Sequence, residues 1–141
     1  MQYIVEKSIR LHATPAEVWD ALTNPEKTKK YFFHCKVFSD WKTGSPIRFH
    51  GRLFLLKKIT MEGTILQAEP QKVLKYTLRN EGDSSGSYST VTDRIRFENG
   101  ETILSVSDNV GDGQGAVKRY LRSEKGWGKI LKKLKTLVEK I

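Results

Sequence analysis

The chain predicts an α+β domain in which a long C-terminal amphipathic helix lies across a sheet of about six to seven strands. Three observations carry this. From Ala116 to Ile141 the apolar residues Val117, Tyr120, Leu121, Trp127, Ile130, Leu131, Leu134, Leu137, Val138 and Ile141 recur at steps of three and four, the period of one helical face. Most of the preceding sequence alternates apolar and polar residues at period two, as half-buried strands do. A helical stripe that long needs a broad partner, and the strands supply it. Gly126 and Gly128 flank Trp127 mid-helix, where each costs roughly 1 kcal/mol relative to alanine. Close approach of the helix backbone to the sheet, with the indole filling the gap, is the expected compensation.

The first strand is Tyr3 to Leu11, with Tyr3, Val5, Ile9 and Leu11 on one face. Thr14-Pro15-Ala16-Glu17 then combines a cap hydroxyl, a proline at the first helical position and a glutamate three residues after the cap, so a helix starts there. It stops near Asn24-Pro25, and Pro25 opens a second short helix from Glu26 to about Lys30. From Tyr31 onward the reading changes to strand, with Phe33, Cys35 and Val37 alternating up to a turn at residues 39–46. Ile47 to Phe49 restarts the sheet. Leu53-Phe54-Leu55-Leu56 reads as a buried strand or an exposed apolar loop. Ile59, Met61, Gly63 and Ile65 share one strand face, and Leu74, Tyr76 and Leu78 share the next. Residues 80–87, rich in Gly, Asp and Ser, form a flexible connection.

Asn99-Gly100 is the preferred pair for a two-residue type I′ hairpin. As the loop, it sets Glu98 opposite Glu101, Ile95 opposite Leu104, Asp93 opposite Val106 and Val91 opposite Asp108. Two carboxylates, Asp93 and Asp108, thereby fall on the apolar face as diagonal neighbours. They either line the polar end of a cavity, with Tyr76 as a third polar group, or are turned outward, solvated, or bridged by Arg94, Arg96 or Lys75. Residues 111–115 give a mobile link into the final helix.

The 141 residues, 38% apolar and 29% charged, suit one domain spanning 1–141. No run of about 18 apolar residues and no basic-then-apolar leader is present, so a cytoplasmic protein without a membrane span is expected. The single Cys35 cannot form an internal disulfide, and His12, His34 and His50 show no metal-ligand spacing. Neither a metal nor a cofactor is expected. Of the net charge of +9, the chain from Ala116 onward contributes nine basic and two acidic residues, leaving the remainder nearly neutral. Such a stripe is the solvated face of an amphipathic helix; it lacks the interleaved aromatics of a specific nucleic-acid site.

The Thr14 to Glu26 opening, the Gly63-Thr64-Ile65-Leu66 and Glu69-Pro70 segment leading to Val73-Leu74-Lys75-Tyr76-Thr77, and the closing Gly126-Trp127 with Leu131, Leu134 and Lys135 resemble the START-like (SRPBCC) superfamily. Within it, the chain is most similar to homologues of the activator of the heat-shock protein 90 ATPase. Tyr31 stands where that family usually has tryptophan. The resemblance implies a helix-grip fold, a curved antiparallel sheet of about six to seven strands around a long C-terminal helix, with two short helices after strand 1 and an apolar cavity between sheet and helix.

No nucleophile elbow, phosphate loop, zinc motif or Ser/His/Asp constellation is visible, so no catalytic residue is assigned. The leading expectation is binding of a small hydrophobic or amphipathic molecule in the cavity. Its expected lining on the sheet is Asp93, Asp108, Tyr76, Val91, Val106, Ile65 and Met61. On the helix it is Val117, Tyr120, Leu121, Glu124 and Trp127. Two alternatives are a co-chaperone-like module meeting a chaperone or other acidic protein, and a cyclase- or hydrolase-type enzyme using the cavity carboxylates.

Overall fold

A computed structural model describes residues 2–53, 57–80 and 88–139. Along the chain run β1 (Tyr3–Leu11), α1 (Pro15–Thr23), α2 (Pro25–Tyr31), β2 (Lys36–Ser39), β3 (Pro46–Leu53), β4 (Lys57–Glu69), β5 (Val73–Asn80), β6 (Ser89–Glu98), β7 (Glu101–Gly111) and α3 (Ala116–Val138). The strands form one antiparallel sheet in the order β1-β7-β6-β5-β4-β3-β2, with β1 and β2 at its edges. Helix α3 packs against β1 and β7 and meets α1 and α2. Side chains of β2, β3, β5, β6 and β7 meet those of α3 around one buried cavity, so the sheet wraps around the helix. The Phe54-Leu55-Leu56 part of the apolar run and most of the glycine-rich connection after Asn80 lie outside the described residues.

Locally encoded features take their expected form. Thr14 Oγ1 accepts from the Glu17 amide while Glu17 Oε1 accepts from the Thr14 amide, which completes the capping box. Asn24 closes α1 and caps α2 through its side chain, which accepts from the Glu26 amide. Asn99 and Gly100 both have positive φ, as a type I′ turn requires, and the β6–β7 register is the one that turn dictates.

The strand expected from Tyr31 onward is corrected. Tyr31 is the last residue of α2, and its hydroxyl donates to the buried Ala21 carbonyl of α1 at 2.8 Å, which ties the two helices together. Phe33 and His34 follow with φ of 48° and 61°, which breaks the alternation, and β2 begins only at Lys36. This connector is clasped from two sides. A Cβ on Gly51 of β3 would lie 2.6 Å from the His34 carbonyl oxygen, and the Phe33 ring rests over Gly126 of α3. Cys35, buried there, has its thiol pushed up to about 11 by desolvation.

Close approach at Gly126 and Gly128 is also corrected. A Cβ at Gly126 would make ordinary contact with the Phe33 ring at 3.4 Å, and one at Gly128 would come no nearer than 3.9 Å to Lys7 Nζ. The tight backbone approaches lie in the sheet instead, at Gly51 and Gly63. The link before α3 is held by Arg119, whose guanidinium donates to the carbonyls of Val110, Asp112 and Gln114 at 3.0–3.2 Å.

Candidate functional site

The inner face of the sheet is a grid laid down by strand register. One row runs Leu74, Asp93, Val106, Lys7; the next runs Tyr76, Val91, Asp108, Val5. Asp93 and Asp108 are therefore diagonal neighbours on adjacent strands, only 3% and 6% exposed. Helix α3 brings Trp127 and Ser123, one turn apart, down onto this grid. Asp108 Oδ2 accepts from Trp127 Nε1 at 2.9 Å and from Ser123 Oγ at 2.5 Å. Its Oδ1, and Oδ1 of Asp93, are buried with no hydrogen-bond partner. Neither carboxylate is bridged by a cation among the described residues, and no bulge turns Asp93 outward.

The electrostatics follow from this placement. Burial, and secondarily the Asp108 charge, push the Asp93 carboxyl up from 3.8 to about 7. Burial, then Asp93, raises the Tyr31 and Tyr76 hydroxyls well above their ordinary value. A group that binds its proton more tightly when folded contributes most below the unfolded pKa. That contribution is lost as pH rises from about 4 to about 7. Asp93→Asn should remove this dependence, so its stability relative to the wild type should improve progressively across that window and level off above it. Urea unfolding at a series of pH values checks this; a gap independent of pH would show that Asp93 titrates normally.

Asp93 and Tyr76 face a cavity of about 20 Å³ together with Phe32, Phe49, Val106 and Trp127. That is room for about one water. Its wall is aromatic: Phe32 sits 5.1 Å from Phe49 and, edge to face, 5.7 Å from Trp127, and Phe49 lies 5.9 Å from Tyr76.

Of the residues expected to line the cavity, Asp93, Tyr76, Val106 and Trp127 do so, and Asp108 adjoins it through its bond to Trp127. Val91 and Ile65 are buried in the same core, with Met61 packed at its margin. Tyr120 packs on Tyr3 instead, with ring centroids 6.1 Å apart. Val117 and Leu121 are 54% and 61% exposed, and Glu124 is exposed as well. The buried row of α3 runs through Ala116, Trp127, Ile130, Leu131 and Leu134, and Val117, Leu121 and Glu124 lie off it. Ser123, four residues before Trp127, was legible as a neighbour on the helix face. Phe32 was not, because the positive-φ pair after it hides the chain's path.

A long C-terminal helix gripped by a seven-stranded antiparallel sheet, with two short helices after the first strand, defines the helix-grip, START-like class of α+β proteins. Residues 12–139 match the family described as activator of Hsp90 ATPase homolog 1-like protein, and the chain belongs to that family. Similar solved structures include a protein of Chromobacterium violaceum (24% identity, 99% of each chain covered, TM-score 0.81). Another comes from Cytophaga hutchinsonii (29% identity, 96% of this chain and 93% of that one, TM-score 0.77). The dimeric Aha1 of Colwellia psychrerythraea shares the fold at 15% identity, with 96% of each chain covered and a TM-score of 0.75. No curated protein matches the chain. Among the described residues no helix is long and apolar enough to cross a membrane, and no three candidate metal ligands cluster.

Proposed function

We propose that this protein binds a small hydrophobic or amphipathic molecule between its sheet and α3, with Asp93 orienting the polar end. The observation that carries this reading is a buried carboxylate with an unpartnered oxygen facing an aromatic-walled cavity. Buried polar atoms are nearly always paired, and an unpaired one costs about 1–3 kcal/mol, so a partner delivered by a ligand gives it a purpose. A cavity near 20 Å³ is far below the several hundred Å³ of a small-molecule site. Binding therefore requires the sheet and α3 to part around the Phe32, Phe49 and Trp127 rings that fill the space. Native mass spectrometry of freshly purified protein should detect a bound apolar mass, and its removal should lower the thermal midpoint. A single bare-chain mass whose midpoint no apolar compound raises would overturn the reading.

A co-chaperone role is the second reading, supported by the family and by the basic outer face of α3. Under it an acidic chaperone surface is captured at low salt and released as salt rises.

A further inference from the structure

Resting on the ligand-binding reading, we infer that the head group accepted beside Asp93 is a protonated amine carried on an apolar body. Apart from the Tyr76 hydroxyl, the inner face is rich in acceptors and short of donors. Once both are ionised, the two carboxylates offer about eight lone-pair sites, while among the described residues the bonds they receive are the two from Ser123 and Trp127, both on a single oxygen of Asp108. Oδ1 of Asp93 and Oδ1 of Asp108 remain buried and unpartnered. Among the described residues Lys7 shares their face, two strands from Asp93 in the same row, with its ammonium directed toward Gly128 of α3. No side chain of β5, β6, β7 or α3 forms an ion pair with either carboxylate among the described residues.

An ammonium group brings what is missing: three donors, no acceptor and a positive charge. A carboxylate or phosphate head would add acceptors to a site already full of them and meet the charge of Asp108. An alcohol supplies one donor, and a ketone none. The walls agree with the cation. Phe32, Phe49, Tyr76 and Trp127 form a contiguous aromatic chain around the cavity that Asp93 faces, and aromatic faces attract a desolvated cation while accommodating the apolar body.

The test compares n-octylamine, 1-octanol and octanoate, of equal chain length, binding to the full chain at pH 7 by calorimetric titration and thermal shift. The net charge of +9 by itself favours octanoate, so a preference for the amine reports the local site rather than the global field. Octylamine should bind at least tenfold more tightly than octanol, with octanoate weakest. Asp93→Asn should abolish the preference for amine over alcohol while retaining alcohol binding. Octanol or octanoate binding as tightly as octylamine would overturn the amine assignment and leave the apolar-ligand reading standing. Binding of none of the three would overturn both. Should the variant fail to fold, the wild-type ranking alone decides.

Discussion

Replacing Gly63 by alanine is expected to cost more than about 4 kcal/mol, the exceptional end of single substitutions and much of a domain's stability. Gly63 sits mid-β4, paired with Ile47 of β3, and on its other side β5 comes unusually close. A Cβ there would lie 1.7 Å from the Thr77 carbonyl oxygen, 2.5 Å from its carbon and 3.0 Å from its Oγ1. The obstacle is backbone, so no rotamer change relieves it, and the two strands must part. Thr77 Oγ1 also accepts from the Thr64 amide at 2.9 Å, a bond the same displacement breaks. The β4–β5 register shifts between Ile65 and Gln67, so this approach belongs to a local irregularity in the ladder. Urea unfolding measures the effect; a loss below about 1 kcal/mol would show that the strands yield easily there.

Trp127→Ala should cost about 3–5 kcal/mol, the range for truncating a buried large aromatic. The indole is 7% exposed, meets Phe32 edge to face and donates to Asp108. Trp127→Phe separates the two contributions: it keeps most of the ring contact but leaves Asp108 with Ser123 as its donor, for a smaller cost of about 1–3 kcal/mol. Equilibrium denaturation of both variants should rank them in that order. An alanine variant that loses less than about 1 kcal/mol would mean that α3 does not seal the core.

These sites divide by how far their causes reach along the chain. The cap at Thr14, the helix break at Asn24-Pro25 and the hairpin at Asn99-Gly100 depend on atoms within a few residues, so they can be read without knowing the fold. The hairpin carries further than its length. Strand alternation propagates its register along β6 and β7, and this local cause sets Asp93 and Asp108 side by side on the inner face.

What the sequence by itself determined is therefore the order of elements, the placing of the final helix across the sheet and the pairing of Asp93 with Asp108, while the gripping curvature came from the family resemblance. The tertiary structure alone decided which edge of the α3 stripe is buried, leaving Val117 and Leu121 exposed, because periodicity defines a face about 100° wide whereas the sheet's shape selects the residues it covers. It also decided that Phe33 and His34 turn left-handed to cross from α2 to β2, and that the space under α3 is filled down to a small cavity. Both are set by contacts between distant elements, at Gly51, Gly126 and Trp127, that no local pattern encodes.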